Sequence, residues 1–377
     1  MKKALSVAFL LTLVGFAGCQ KGGNADEIVV GEFASLTGKE ATFGISSHQG
    51  TQLAVEEVNA AGGVLGKKIK LLTEDNQSKA GESANAVNKL IAKDGAVAIL
   101  GEVASSRSLE AAPICQQNNV PMISPSSTNP KVTETGDFIF RVCFIDPFQG
   151  TLMANFARKT LKAQKIAVFT DAKSDYSKGL AKFFKEGFLK AGGHLVAELD
   201  YNGGDKDFKG QLTAIKSAAP DGIFLPGYYT DAALICIQAR EVGLTVPIFG
   251  GDGWESDKLT EIGQDAVEGT YFSTHYSPDA GGPRGKAFVT AYQKRYNGKL
   301  PDAMAALGYD SAMILVDAMK RAGSAEPLKV REALAETRDF DAVTGKFTIN
   351  KQRDADKAAV ILQVKGGKFT YVETIAP

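Results

Sequence analysis

Residues 227–250, GYYTDAALICIQAREVGLTVPIFG, match residues 101–124, GEVASSRSLEAAPICQQNNVPMIS, at a constant offset of 126, with Gly227 echoing Gly101 and Val246-Pro247 echoing Val120-Pro121. Each copy reads as a strand, a polar loop, a helix, a Val-Pro step and a second strand, of equal length in the two copies. A repeat period that long signifies a duplicated lobe and not a solenoid of short units. In the first copy the apolar run 96–100 ends at Gly101, and Ser105 and Ser106 stand where an N-cap belongs, ahead of a helix predicted over 108–118. Pro121 cannot continue that helix, so the chain enters a short strand at 122–123 and leaves it through Ser124-Pro125-Ser126-Ser127-Thr128. If the two strands are parallel neighbours, both loops lie at their carboxyl ends, the edge at which open α/β sheets bind ligands. An anion held there would meet a helix amino terminus and several hydroxyls. Two lobes that each present such an edge make a cleft.

The flanking sequence alternates in the same way. A strand over 28–33, the loop SLTGKEATFG, a helix over 45–60 stopped by Gly62-Gly63, a strand over 69–73, a helix over 81–93 and the strand 96–100 form a βαβα series. Such a series implies a parallel sheet covered by helices on both faces. A second series follows, with helices over 148–161, 177–191 and 208–217 and strands over 165–170, 195–199 and 222–225. Beyond the second copy, 266–274 reads as a strand, 284–296, 304–322 and 330–336 as helices, and 345–349 and 358–364 have strand character. No low-complexity linker separates the lobes, so the chain is expected to cross between them three times, near 144–147, 274–278 and 350–357, making a hinge. The expected division is a signal segment 1–18, a tether 19–26, an N-terminal lobe of 27–145 and 277–352, and a C-terminal lobe of 146–276 and 353–377.

Charge and motif spacing exclude several functions. Lys and Arg number 43 and Asp and Glu number 43, which leaves no basic surplus for a nucleic-acid footprint. His48, His194 and His275 are scattered and belong to no HExxH pair or nucleophile elbow. GGPRGKA at 281–287 is one residue short of a phosphate loop and has Ala287 where Ser or Thr is required. Gly250-Gly251-Asp252-Gly253 lacks the third glycine of a dinucleotide fingerprint. No enzyme, cofactor or metal site is expected. Cys115, Cys143 and Cys236 are odd in number and lack metal-ligand spacing, and Cys115 and Cys236 fall mid-helix as small buried residues.

The amino terminus is a processing segment, with Lys2 and Lys3 before an apolar run over 4–18, too short and too early for a spanning helix. Phe16-Ala17-Gly18-Cys19 resembles a bacterial lipoprotein box, with Phe16 where Leu is usual. On that reading, the favoured one, Cys19 carries lipid and QKGGNAD at 20–26 is a flexible tether. The other reading is an ordinary secretory signal cut near Gly18. No transmembrane segment is expected beyond this one, so the protein is expected to be exported and held at the cell envelope.

Polar groups at strand ends remain. Ser105, Ser126 and Thr128 offer donors suited to a carboxylate, and Asp252 offers the charge suited to an ammonium, so together they favour a zwitterion. The landmarks Gly31 with Thr37-Gly38, Phe43-Gly44, GTQLAVEEVNAAGGVLG at 50–66, Ser105-Ser106, SPSSTNP at 124–130, Asp175-Tyr176-Ser177-Lys178-Gly179 and Gly227-Tyr228 span nearly the whole mature sequence. On these residues the chain resembles the solute-binding proteins of the leucine/isoleucine/valine-binding family, which feed ABC importers for amino acids. The resemblance implies a type I periplasmic-binding fold, α/β, with two Rossmann-like lobes that close on a ligand. It implies that Ser105 and Thr128 bind the α-carboxylate, helped by backbone at Ala104 and Ser126. It further implies that Asp252, Tyr228 and the Ser126 carbonyl take the α-amino group, and that Phe43, Val103, Tyr176 and Met304 shape the side-chain pocket. The branched-chain prototypes differ in having Glu where this chain has Asp252, a disulfide Cys where it has Ala104 and an aromatic where it has Met304. The expected partners are a small, aliphatic amino acid and the membrane subunits of an importer, served by a monomer. A sensory ligand-binding protein on the same fold is the alternative. If Cys19 is the anchor, Cys19→Ser releases the protein from membranes, because a few polar tether residues have no other affinity for lipid. Cell fractionation after a salt wash checks this, and a variant still membrane-bound contradicts it.

Overall fold

The computed structural model describes residues 26–280 and 282–377, so the readings on the signal run, Cys19 and the tether up to residue 25 lie outside it. Five strands, β1 (Glu27–Ala34), β2 (Lys68–Asp75), β3 (Ile99–Leu100), β4 (Met122–Ser124) and β5 (Ile139–Arg141), form one sheet in the order β2-β1-β3-β4-β5. Every neighbouring pair in it is parallel. A second sheet takes β6 (Lys165–Asp171), β7 (His194–Tyr201), β8 (Gly222–Phe224), β9 (Ile248–Gly250) and β10 (Tyr271–Thr274). A small ribbon, β11 (Thr348–Ile349) with β12 (Ala355–Asp356), precedes β13 (Ala359–Lys365) and β14 (Lys368–Ile375). The second sheet runs β14-β13-β10-β9-β8-β6-β7, parallel except where β13 lies antiparallel to β10 and β14. The expected α/β architecture of two parallel-rich, helix-covered sheets is therefore present.

The two copies of the repeat differ from the equal-length expectation. Ile99 of β3 pairs with Met122, whereas Ile223 of β8 pairs with Ile248, so first strands correspond at an offset of 124 and second strands at 126. The helices Ser105–Gln117 and Tyr229–Glu241 also correspond at 124. The two extra residues lie between the helix and the next strand, at the sheet edge opposite the cleft. Tyr228 therefore occupies the place of Ala104, each extended immediately before its helix. This also corrects the N-cap assignment, since Ala104 is the cap position and Ser105 is already helical. Elsewhere the strand expected over 266–274 is confined to 271–274, because a 3-10 turn at Gln264–Val267 and Gly269 at φ 77° interrupt it. Strand β14 went unread because it is polar and largely exposed, an edge strand whose hairpin turns on Gly366 and Gly367, both at positive φ.

The first sheet is covered by helix Ala41–Ala60 packed on helix Ala303–Ala322. Their backbones meet at glycines: a Cβ at Gly50 would lie 1.8 Å from the Ala305 carbonyl oxygen, and one at Gly308 would lie 2.1 Å from that of Ser47. Tyr309 Oη donates to Glu57 at 2.6 Å across the same interface. The first sheet's core thus takes residues from both ends of the chain, among them Leu53, Val58, Leu307, Leu315 and Ile349. Cys115, Cys143 and Cys236 are free and buried, and burial pushes the thiols of Cys143 and Cys236 up to about 12.

The crossings are joined by buried charge. Arg141 at the end of β5 is fully buried, its Nε 2.7 Å from Asp354 Oδ1 on the third crossing, and Thr133 Oγ1 donates to the same carboxylate at 2.9 Å. Lys357 on that crossing donates to the Val142 carbonyl at 3.3 Å and to Thr344 Oγ1, and burial pulls its ammonium down to about 8. Removing one member of a buried pair strands the other, which costs about 3–5 kcal/mol. Asp354→Ala is expected to lower the unfolding free energy by that amount in urea denaturation, and a loss under 1 kcal/mol contradicts it.

Candidate functional site

The carboxyl ends of β3 and β4 supply one wall of the cleft. Gly101, at φ 129°, passes so close to β1 that a Cβ there would lie 2.3 Å from the Phe33 carbonyl oxygen. The buried Glu102 carboxylate accepts from Ser35 N at 2.9 Å, Ser35 Oγ at 2.8 Å and Ala104 N at 2.6 Å. Its pKa is pushed up to about 7 by burial, with the charge of Glu40 adding. The Glu102 carbonyl receives the hydroxyls of Ser124 at 2.7 Å and Ser127 at 2.8 Å, which joins the two loops into one unit. The Ala104 N–H expected to help bind a carboxylate is therefore engaged by Glu102. Because Ser105 opens its helix, the N–H groups of Ser105 and Ser106 have no acceptor within the helix. Ser105 Oγ accepts from Asn129 N at 3.2 Å and keeps its own hydrogen to donate. Thr128 Oγ1 is fully buried against the Asp146 carboxyl, without a hydrogen bond of good geometry.

The opposite wall comes from the second sheet. After β9 the chain makes a 3-10 turn, Asp252–Trp254, which buries Asp252 to 4% exposure. Asp252 Oδ1 accepts from Gln149 Nε2 at 2.8 Å and from Tyr176 Oη at 2.9 Å, and Oδ2 lies 3.0 Å from His275 Nε2. The Tyr176 oxygen also accepts from Gly253 N at 3.1 Å, and its ring stacks on Tyr228 with centroids 5.2 Å apart. Phe43, from the first lobe, meets Tyr228 at 5.6 Å and Tyr229 at 4.9 Å, both edge-on. Val103 and Met304 join Phe43 in an apolar cluster with Tyr229 and Trp254.

The lobes are in contact along this cleft. Tyr229 Oη donates to the Lys39 carbonyl at 2.8 Å and Ser256 Oγ to Thr42 Oγ1 at 3.0 Å. Ser106 Oγ both accepts from Asp175 N at 3.0 Å and donates to Asp175 Oδ2 at 3.1 Å. A cavity of about 540 Å³ between Lys39, Arg107, Lys173 and Asp175 reaches Ala104 and Tyr228 from the rim. All ten residues expected at the site, Phe43, Val103, Ala104, Ser105, Ser126, Thr128, Tyr176, Tyr228, Asp252 and Met304, come to this region. Sequence reasoning missed Glu102, Asp146, Gln149 and His275. His275 carried a usable signal, since it stands immediately after the carboxyl end of β10, whereas Gln149 lies on a helix with nothing in its sequence to mark it.

Residues 27–368 match the family model described as periplasmic binding protein. The fold matches a leucine binding protein, LivK, from Thermotoga maritima, with a TM-score of 0.90 at 44% identity over 93% of this chain and 99% of that one. It also matches LivJ from Streptococcus pneumoniae, a branched-chain amino acid transporter substrate binding protein solved with isoleucine, with a TM-score of 0.88 at 34% identity over 93% of this chain and 100% of that one. A Leu/Ile/Val-binding protein homolog from Brucella melitensis is 30% identical over 99% of this chain and 100% of its own length.

One carboxyl beside the cleft has a role that electrostatics isolates. Asp146, fully buried at the start of helix Asp146–Lys159, has its pKa pushed up to about 8 by burial, with Asp252 adding and the Thr128 hydroxyl and Arg141 opposing. A folded-state pKa above the ordinary 3.8 gives stability that is complete below 3.8 and is lost as the pH rises through about 8. Asp146→Asn keeps the shape and removes the titration. Wild type and variant are expected to be equally stable near pH 4, with the variant the more stable near pH 8, and denaturation curves that stay parallel across that range contradict the assignment.

Proposed function

The chain belongs to the periplasmic binding protein family, and from that premise we propose that it captures a small aliphatic amino acid between its lobes and delivers it to an ABC importer from outside the cytoplasmic membrane, held there by lipid on Cys19. Members of the family bind their substrates without transforming them, and the chain is a binding protein and not an enzyme.

The observation that carries the reading is the pairing of opposite chemistries across one buried cleft. On one wall, the Ser105 hydroxyl hydrogen and the N–H groups of a helix start have no acceptor among the described residues, and the Thr128 hydroxyl stands on the facing loop against Asp146. These suit an α-carboxylate. On the other wall, Asp252 offers a charge enclosed by neutral donors, and the carbonyl of Ser126 lies on the facing loop, which together suit an α-ammonium. Phe43, Val103, Tyr176 and Met304 offer rings and apolar groups for the side chain, and Tyr228 stands with Asp252 for the amine. The isoleucine held by the Streptococcus relative is of that class.

Losing one hydroxyl donor to a charged group costs about 1.5–3 kcal/mol, so Ser105→Ala is expected to weaken binding roughly 10- to 150-fold. Asp252→Ala leaves an ammonium enclosed without a counter-charge and is expected to cost about 3–5 kcal/mol. Calorimetry with leucine, isoleucine and valine is expected to show binding to wild type and to rank Asp252→Ala below Ser105→Ala, both variants being folded. An Asp252→Ala variant that binds as tightly as wild type contradicts the amine assignment.

A further inference from the structure

His275 is the one histidine of the cleft, and nothing in the family resemblance assigns it a part. It follows β10 on the crossing between the sheets, and its ring lies against Phe144 of the first crossing, centroids 3.8 Å apart and planes 27° from parallel. It is 1% exposed. Its Nε2 faces two oxygens that come from opposite lobes, Asp252 Oδ2 at 3.0 Å and Ser126 Oγ at 3.3 Å. Its Nδ1 is buried and meets no partner among the described residues.

This arrangement fixes where the ring carries its proton. A hydrogen on Nε2 has a carboxylate to receive it, whereas a hydrogen on Nδ1 would be a buried donor with no acceptor, an unfavourable state that folding selects against. Burial and the nearby Lys357 ammonium both disfavour a second proton, against the Asp252 hydrogen bond that favours one. The other groups that donate to Asp252, the Gln149 amide and the Tyr176 hydroxyl, are neutral as well.

We propose that His275 is a positioning residue for amine recognition: as a neutral ring with its single hydrogen on Nε2, it orients the Asp252 carboxylate toward the ligand's ammonium without cancelling its charge. A cation in the same place would pair with Asp252 and leave the ammonium without a counter-charge. Contact with Ser126 Oγ ties this half of the site to the first lobe, so His275 aligns Asp252 relative to the loop that carries the facing carbonyl. The proposal rests on the reading of Asp252 as the amine's partner.

Two measurements test it. In the mature protein with ¹⁵N-labelled histidine, ring-nitrogen spectra at neutral pH, with the His275 signals identified by their loss in His275→Gln, are expected to show a protonated Nε2 and a bare Nδ1. Calorimetry with leucine, isoleucine and valine is expected to show His275→Leu binding about ten- to thirtyfold more weakly than wild type, with His275→Gln, which restores a neutral donor, recovering most of the loss. A hydrogen on Nδ1, a doubly protonated ring, or a folded His275→Leu variant with wild-type affinity overturns the proposal. If wild type binds none of the three amino acids, the amino-acid reading fails, and the ring spectrum still decides the state of His275.

Discussion

Asp252 holds a carboxylate at 4% exposure, where water cannot stabilise it, and the packing of the second lobe follows from meeting it with donors. Those donors arrive on three separate elements: Gln149 on the helix after the first crossing, Tyr176 on the helix after β6, and His275 at the end of β10. Tyr176 then fixes the Asp252 turn through Gly253 N and stacks on Tyr228, which meets Phe43 from the first lobe. One buried charge thereby sets the position of an aromatic ladder that reaches the opposite wall.

The contacts across the cleft are of a different kind. Beside the ring contacts of Phe43 with Tyr228 and Tyr229, the walls share hydrogen bonds between short side chains or to backbone, at Thr42–Ser256, Ser106–Asp175 and Tyr229–Lys39. Each of these hydrogen bonds is worth about 0.5–1.5 kcal/mol net, a modest term that solvent can replace. The crossings, by contrast, are pinned by Arg141–Asp354 and by Lys357 in fully buried surroundings. The buried charges thus sit at the crossings, and the exchangeable hydrogen bonds lie along the cleft.

Much of this was legible in the sequence because it follows from backbone periodicity. The alternation of buried strands and helices, the Gly62-Gly63 stop and the hydroxyl-rich loop after β4 announced the sheets and the edge at which a site belongs. Nine of the ten residues named at the cleft stand at or near strand ends or match family landmarks; Met304, on helix 303–322, was named only from its position in the family pattern. What the sequence hid is set by tertiary contact. The two-residue difference between the copies falls after a helix, where the Val-Pro match masks it. Glu102 looked like an ordinary loop carboxylate until its partners Ser35 and Ala104 placed it in the interior. Gln149 and Asp146 sit on a helix whose pattern is satisfied without them.

The glycine contact between helices 41–60 and 303–322 has a consequence for how the chain is made. Residues that touch there, such as Thr51 and Gly308, are 257 positions apart. A polypeptide synthesised from its amino terminus has all five strands of the first sheet long before it has the helix that covers them. The first sheet thus waits for this cover until the five parallel strands of the second sheet, β6 to β10, have already been made. Through that interval the apolar face of helix 41–60, with Leu53, Val55 and Val58, stands uncovered, and contacts of such long range form slowly. The nascent chain therefore carries an apolar stripe near its start that stays without its native cover until the helix at 303–322 is made.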